Sequence, residues 1–235
     1  MKDISVIIPT YQHASTIGAC LTSLLKQTAV PKEIIVVDDG STDQTRAVLE
    51  PFFDQIIYEY QSNQGAPIAR NHGASLATGD LLLFCDADVI ASPFLLERLH
   101  DALEEQPEAS YAYCAFRWGS RLFRARPFDG EALRRQNFIH TTSLIRRQAF
   151  VGFDPSLKRF QDWDLWLTML EQGHIGVAVG EELFRVVDVK GRQAISRWIP
   201  AFVYRLPWHW IRWKPAALRF YDEAHIIIAN KHHLL

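Results

Sequence analysis

The sequence predicts an α/β fold in which a mostly parallel central sheet is flanked by helices. Short apolar runs that suit buried strands recur along the first half of the chain, and segments with apolar residues at helical spacing lie between them. The chain has 235 residues, of which 48% are hydrophobic and 22% are charged. It can therefore bury a large core, and we expect a folded protein and not a disordered one.

The strands and helices alternate as β-α units with short connections, which favours a parallel sheet covered on both faces. Ser41 or Thr42 is expected to cap the second helix, and Ser92 the fourth, with Pro93 at its first position. The predicted strands cover residues 4–8, 34–37, 56–60 and 81–85, and the helices include residues 17–25, 47–48, 66–77 and 95–103.

From residue 111 onward the pattern is less regular. A strand is predicted at residues 111–116, a basic loop at 117–129, and a helix at 162–172 that Gly173 closes. Residues 196–235 are rich in Trp, Arg, His and Pro, and no element is predicted there.

Charge and cysteine usage exclude several classes of protein. Because 25 Lys and Arg face 27 Asp and Glu, no overall field attracts nucleic acid. Cys20, Cys85 and Cys114 have no paired spacing, which favours reduced thiols in a cytoplasmic protein. No signal-peptide pattern is found at the start, and charged residues and prolines interrupt residues 198–213, so we expect no membrane span.

Polar residues follow three of the predicted parallel strands. In an open parallel sheet, ligands bind where the strands end at their carboxyl edge, so we expect these residues to share one crevice. They are Pro9, Thr10 and Tyr11 after the first strand, Asp38 and Asp39 after the second, and Asp86 and Asp88 after the fourth.

Asp86 and Asp88 form the candidate cation site. Alternation along an extended segment would direct both carboxylates the same way. Mg²⁺ or Mn²⁺ takes one or two protein carboxylates together with phosphate oxygens, so the pair suits an ion that bridges to a diphosphate. An ordinary solvated turn is the alternative. A calcium-binding loop is rejected, because Ile90 and Ala91 stand where a ligand and a glycine are needed.

We expect residues that could bind a nucleotide near the same edge: a group that recognises the nucleobase, and a positively charged side chain. Asp39 could accept a hydrogen bond from a base while Tyr11 stacks on it, although a tight turn capped by Asp and Ser is the alternative. Arg70, near the start of the third helix, is the chosen basic partner, with an ordinary surface arginine as the alternative. Neither a dinucleotide fingerprint nor a P-loop occurs.

Asp162 is the candidate catalytic base. It lies about 200° around the predicted helix from Asp164, so both side chains cannot face one site. We expect the helix dipole to keep the Asp162 carboxylate ionised and ready to accept a proton, and an N-cap role is the alternative.

The order of these elements resembles the inverting glycosyltransferases of family two, which have the GT-A nucleotide-diphospho-sugar transferase fold. The resemblance covers approximately residues 4–185. The stretches that carry it are SVIIPTYQ, EIIVVDDGSTDQT, NQGAPIARNHGASLATGDLLLFCDADV, GFDPSL and QDWDLWL.

The resemblance implies a site and a division of the chain. Residues 1–195 would form the GT-A domain, with a donor half of about residues 1–110 and an acceptor half of about 111–195, followed by an aromatic and basic tail at 196–235. Asp88 would bind the metal ion, Mn²⁺ or Mg²⁺, and Asp162 would be the base. Pro9, Tyr11 and Asp39 would contact the nucleoside, most often uridine, and Arg70 and Asp86 would help to hold the donor.

Two positions depart from the family pattern. Gln161 stands where the family usually has Glu before the base, so the charge around the base differs. Many members have a histidine soon after an arginine in the segment matching Phe184 and Arg185, whereas this chain continues with Val and then Asp188, whose part in a metal site stays open.

The acceptor is expected to be a carbohydrate or a lipid-linked compound. A run of arginines between residues 117 and 135 favours an anionic or lipid-linked acceptor, with a solvated loop as the alternative. The tail at 196–235 could contact the inner face of a membrane, pack on the protein or form a homodimer. A nucleotidyltransferase and a noncatalytic nucleotide-sugar-binding module are the rival functions.

Overall fold

Alternating strands and helices build the first part of the chain, as the sequence predicts. The structure is a computed structural model that describes residues 2–187 and 216–234. Up to residue 84 the elements are β1 (Ile4–Thr10), α1 (Ile17–Leu24), β2 (Glu33–Asp39), α2 (Thr45–Leu49), β3 (Ile57–Gln61), α3 (Ala66–Leu76) and β4 (Leu81–Phe84).

The rest of the described chain is more mixed. Short 3-10 turns also occur at Glu50–Phe52 and Arg147–Ala149. The remaining elements are β5 (Val89–Ala91), α4 (Leu95–Glu105), β6 (Tyr111–Trp118), β7 (Arg121–Phe123), α5 (Gly130–Arg135), β8 (Leu144–Arg146), α6 (Gln161–Glu171), β9 (Gly176–Val186) and α7 (Ala216–Lys231).

One 9-stranded sheet runs in the order β3-β2-β1-β4-β8-β6-β9-β5, and β7 pairs with β6. The strands from β3 to β4 are parallel, as predicted. Beyond β4 the parallel prediction holds for β6 with β9, whereas β8 pairs antiparallel with both β4 and β6. The predicted α/β class is confirmed, and the antiparallel strand β8 precedes α6 in the chain.

Both faces of the sheet are buried, which explains why the strands read as continuous apolar runs. Along β1, Val6 and Ile8 pack into the apolar cluster on one face, and Ile7 packs into the cluster on the other. β2 alternates in the same way, with Val36 on the first face and Val37 on the second. The sheet is thus a rigid platform for the loops at its carboxyl edge.

The predicted helix caps are wrong. Gln44 precedes α2 without a side-chain cap, because the hydroxyls of Ser41 and Thr42 accept hydrogen bonds from Gln12 instead, at 3.0 and 2.7 Å. Residues 92–94 form a turn before α4, and this helix begins at Leu95 and not at the predicted proline. These polar side chains therefore tie loops together at the edge of the sheet.

Three further predictions can be compared with the structure. The basic loop at 117–129 contains strand β7, which pairs with β6. Cys20, Cys85 and Cys114 are buried and free, as expected for reduced thiols. None of the helices at 2–187 and 216–234 has the length and apolar character needed to cross a membrane.

Candidate active site at the carboxyl edge of the sheet

The carboxyl ends of β1, β2 and β4 lie at one edge, because these strands are parallel and adjacent. Thr10 pairs with Asp38 across β1 and β2, and Ile7 pairs with Phe84 across β1 and β4. The polar residues after each strand are therefore brought to the same edge.

Asp39 ends β2, and its carboxylate is bound by its own chain. It accepts hydrogen bonds from Gln61 Nε2 at 2.7 Å and from the backbone N of Gln64 and Gly65, both at 2.8 Å. Gly65 has a φ of 96°, which favours glycine. Since a carboxylate offers about four acceptor positions, most of them are used within the chain. The nucleobase contact of Asp39 stays a prediction.

Tyr11 and Pro9, the other predicted nucleoside contacts, differ in exposure. Tyr11 is 45% exposed beyond the end of β1, so its ring is accessible for stacking. Pro9 is buried and pairs with Val37 of β2. The ring of Tyr11 therefore suits a stacking role, whereas the side chain of Pro9 shapes the strand end.

Arg70 on α3 is buried, so the surface alternative for this residue is wrong. Its Nη2 donates a hydrogen bond to Asp86 Oδ1, and its Nη1 donates one to Gln161 Oε1, both at 2.8 Å. Its Nε is buried, and no residue in the described part of the chain accepts a hydrogen bond from it. Arg70 joins the turn after β4 to the first turn of α6.

Asp86 and Asp88 lie on a turn, because β4 has already ended and Val89 N donates a hydrogen bond of 3.0 Å to Asp86 O. The extended geometry assumed for the pair is therefore wrong. Desolvation raises the pKa of the Asp86 carboxyl, but the charges of Arg70 and His140 outweigh it and hold this pKa below its usual value. Asp86 is thus ionised at neutral pH and keeps Arg70 in place.

Asp88 is partly exposed, and its backbone oxygen accepts a hydrogen bond of 2.9 Å from Val187 N at the end of β9. Among residues 2–187 and 216–234, no three His, Cys, Asp or Glu side chains are grouped to hold a metal ion. Asp188 lies outside the described residues. A cation at Asp88 would therefore need oxygen ligands from a bound substrate as well.

Asp162 lies in the first turn of α6. Phe160, with a φ of 57°, occupies the N-cap position, so the capping alternative for Asp162 is wrong. The half-buried carboxylate accepts hydrogen bonds from Asn137 Nδ2 at 2.8 Å and from Trp163 N at 2.9 Å. These two contacts hold the carboxylate in one orientation.

Desolvation raises the pKa of Asp162, and it outweighs the charges of His140 and Arg70 and the backbone hydrogen bonds, which lower it. The shift is therefore opposite in direction to the one that the helix dipole alone would give. A raised pKa increases the proton affinity of this carboxylate, which suits a general base.

Asp164 faces away from Asp162, as the helical angle predicts. Its buried carboxylate lies 2.7 Å from Lys231 Nζ and 2.9 Å from His232 Nε2. His232 Nδ1 lies 2.8 Å from Glu171. This network attaches the end of α7 to α6, so Asp164 has a structural role behind the site.

Sequence reasoning missed Asn137 and His140. Asn137 holds the Asp162 carboxylate, and His140 lies close enough for the charges of Asp86 and Asp162 to act on it. Burial lowers the pKa of His140 more than these carboxylates raise it. Both residues are single polar side chains in an irregular segment, so no motif or periodicity marks them.

Some arginines of the basic run at 117–135 have partners within the fold. Arg117 donates to both carboxylate oxygens of Glu182, at 2.9 and 2.6 Å, and the guanidinium of Arg126 lies 3.7 Å from the centroid of the Phe138 ring. Arg134 and Arg135 line a cavity of about 440 Å³ between α5 and α7, together with Glu131, whose carboxylate lies 3.7 Å from Arg134 Nε. The tail tryptophans of residues 198–213 lie outside the described residues.

The half-sheet β3-β2-β1-β4 is parallel and has acidic residues at its edge, and a mixed half that is followed by α6 continues it. This arrangement defines a protein of the GT-A class. The sequence model of "Glycosyl transferase family 2" matches residues 5–156. The chain belongs to glycosyl transferase family 2.

Relatives and solved structures agree with this assignment. A PGL/p-HBAD biosynthesis glycosyltransferase of Mycobacterium bovis (strain BCG / Pasteur 1173P2) is 32% identical over 176 residues, which are 68% of this chain and 66% of the relative. Staphylococcus aureus TarS 1-349, in complex with UDP-GlcNAc, superposes with a TM-score of 0.70 at 21% identity, over 84% of this chain and 62% of that one.

Glucosyl-3-phosphoglycerate synthase from Mycobacterium tuberculosis, in complex with Mn²⁺, UDP and glucosyl-3-phosphoglycerate, has a TM-score of 0.59 at 14% identity, over 80% of this chain and 73% of that one. This chain spans less than two thirds of the length of TarS 1-349 and of the mycobacterial relative.

Proposed function

We propose that this chain is an inverting glycosyltransferase that transfers a sugar from a UDP-sugar to an acceptor hydroxyl, in polysaccharide or glycolipid synthesis. The observation that carries the proposal is the contact of Arg70 with both Asp86 and Gln161, each at 2.8 Å. It joins the donor side of the site to the residue next to Asp162. A donor and a base on opposite sides of one reacting carbon are what sugar transfer requires.

The donor would bind along the ends of β1, β2 and β4. Tyr11 would stack on the uracil ring, and the remaining acceptor position of the Asp39 carboxylate would take a ring N–H. Arg70 would help to hold the donor by positioning Asp86, to which its Nη2 donates a hydrogen bond of 2.8 Å. The UDP and UDP-GlcNAc held by the structural neighbours support this choice of donor.

A divalent cation, Mn²⁺ or Mg²⁺, would accompany the diphosphate, with Asp88 as its protein ligand. The partly exposed carboxylate of Asp88 is the hard oxygen donor that both ions prefer, and these ions usually take their other ligands from phosphate and water. When bound, the cation supplies charge neutralisation for the departing diphosphate. The Mn²⁺ in the glucosyl-3-phosphoglycerate synthase complex supports this assignment.

Asp162 would act on the acceptor. Its carboxylate removes the proton from the acceptor hydroxyl while that oxygen forms a bond to the anomeric carbon, and the bond from this carbon to the diphosphate oxygen breaks on the opposite face. The configuration at the anomeric carbon is therefore inverted. Asn137 keeps the carboxylate oriented, and the raised pKa of Asp162 favours proton transfer to it.

A screen of nucleotide sugars with Mn²⁺ tests the proposal. We expect one UDP-sugar to raise the thermal midpoint and to be hydrolysed slowly to UDP and free sugar, with the same screen in EDTA as the control. Release of pyrophosphate would instead indicate a nucleotidyltransferase. Binding of nucleotide sugars without any turnover, even with added carbohydrate and lipid-linked acceptors, would indicate a noncatalytic module.

The acceptor half and the tail carry a second part of the proposal. We propose that Arg134 and Arg135, which line the cavity between α5 and α7, bind an anionic or lipid-linked acceptor, and that the tail contacts the inner face of the membrane.

Because α7 packs on α6, the tail cannot be removed without disturbing α6, the helix that carries Asp162. Sedimentation with anionic liposomes should therefore compare the wild type with a variant in which Trp198, Trp208, Trp210 and Trp213 are alanine. Equal sedimentation would exclude membrane contact by these tryptophans.

A further inference from the structure

The ring of His140 packs against a stacked pair of aromatic residues, Phe116 and Phe184. Its centroid lies 4.8 Å from that of Phe116 on β6 and 5.0 Å from that of Phe184 on β9. These rings belong to two strands that pair with each other, with Phe116 in register with Phe184. The imidazole therefore rests on one side against this aromatic pair.

One hydrogen bond sets the tautomer of this ring. The backbone N of Thr142 donates to His140 Nδ1 at 3.0 Å, so Nδ1 must carry a lone pair. In a neutral imidazole the proton then resides on Nε2. No other group in the described part of the chain is hydrogen-bonded to the ring, which is partly exposed. His140 thus presents a free Nε2–H donor.

This donor belongs to the candidate active site. Asn137, in the same segment, donates a hydrogen bond of 2.8 Å to the Asp162 carboxylate. The charges of Asp86, Asp162 and Arg70 also act on the imidazole. An N–H donor without an acceptor, between the donor-binding carboxylate and the base, suits a ligand that presents oxygen atoms.

We propose that His140 Nε2 donates a hydrogen bond to a hydroxyl oxygen of the sugar that is transferred. This assignment rests on the proposed function, in which the sugar must lie between the diphosphate and Asp162. A neutral donor suits a sugar hydroxyl, because it recognises an uncharged oxygen without adding a positive charge near the base. His140 would therefore contribute to the choice of sugar and not to binding of the nucleotide.

A matched pair of substitutions separates this role from a structural one. His140→Asn places an amide oxygen near the Nδ1 position, where it can accept from Thr142 N, but it leaves nothing at Nε2. His140→Gln places an amide N–H near Nε2 and leaves Thr142 N without its partner. Thermal midpoints of both variants report on folding. Titration calorimetry with UDP and with UDP-GlcNAc, each with Mn²⁺, reports on binding independently of turnover.

We expect His140→Asn to bind UDP as the wild type does and to lose about tenfold in affinity for UDP-GlcNAc, as for one hydrogen bond. His140→Gln should retain most of the wild-type affinity for UDP-GlcNAc. Equal losses for UDP and UDP-GlcNAc, or no loss in His140→Asn, would overturn the assignment while leaving the proposed function intact. If the wild type binds neither compound, the proposed function fails, and this assignment fails with it.

Discussion

Arg70 donates a hydrogen bond of 2.8 Å to Gln161, the residue that precedes the proposed base on α6. The other Nη of the same guanidinium donates to Asp86 at the end of β4. The two partners are separated from Arg70 by 91 and 16 positions, so this buried side chain connects distant parts of the sequence. It sets the distance between the turn after β4 and the first turn of α6.

The Arg70→Lys variant should show how much depends on this connection. One ammonium group cannot reproduce the planar fork that reaches Asp86 and Gln161 together. We expect kcat/KM to fall by about 10- to 100-fold, as for the loss of a charge-assisted hydrogen bond. Steady-state kinetics would measure it, with Arg98→Lys on the surface of α4 as the control. Equal losses in both variants would contradict a special role for Arg70.

Gln161→Glu restores the residue that the family usually has before the base. A carboxylate at this position would pair with Arg70, and its negative charge beside Asp162 would raise the pKa of that carboxyl further. We expect the acid limb of the pH–rate profile to move to higher pH. Gln172→Glu, at the far end of α6, is the matched control. A profile that does not move would show that residue 161 does not influence the base.

The pH dependence of the wild type follows from the direction of the pKa shift of Asp162. The base must be ionised, and desolvation raises its pKa, so activity should fall as the pH decreases through a value above the ordinary aspartate pKa. Asn137→Ala removes a hydrogen bond to the ionised form, so it should move this acid limb to still higher pH. The exposed neighbour variant Gln136→Ala should leave the profile unchanged. An acid limb that stays in place in Asn137→Ala would remove Asn137 from the site.

The attachment of α7 should depend on pH for a different reason. Burial lowers the pKa of His232, but Asp164 and Glu171 raise it more, and its pKa in the folded state lies above the ordinary value. The stabilisation from this contact is therefore complete below about pH 6.5 and is lost as the pH rises through the folded-state pKa.

His232→Gln should remove most of this pH dependence and lower the free energy of unfolding by about 1–3 kcal/mol at low pH. Denaturant unfolding at several pH values would measure it, with His233→Gln as the exposed neighbour control. A wild-type stability that rises as the pH increases from 6 to 8, on the order of 1 kcal/mol or more, would contradict the ion-pair account.

Much of the fold was predictable because each element carries a local signal. Buried strands read as apolar runs, and the angle between Asp162 and Asp164 follows from helix geometry alone. Gly173, predicted to close α6, has the left-handed φ of 83° that such a helix end requires. These features depend on neighbours in the sequence, so the sequence is sufficient to find them.

The details of the site depend on contacts between distant residues and were harder to predict. The burial of Arg70 follows from partners on other elements, and Asn137 and His140 reach the site through an irregular segment. The turn at Asp86 and Asp88 was misread, because the position at which β4 ends is set by pairing with β1 and β8. Local propensity does not report such long-range pairing.

Asp162→Asn is the most direct test of the central claim. This claim is that the Asp162 carboxylate on α6 acts as the base while the sugar donor is bound at the edge of the sheet. Turnover and the affinity for UDP should be measured together in this variant, with Asp101→Asn on α4 as the control. We expect the affinity for UDP with Mn²⁺ to be unchanged and the turnover of the UDP-sugar to fall by about 10²- to 10⁴-fold. Unchanged turnover in Asp162→Asn would contradict the claim.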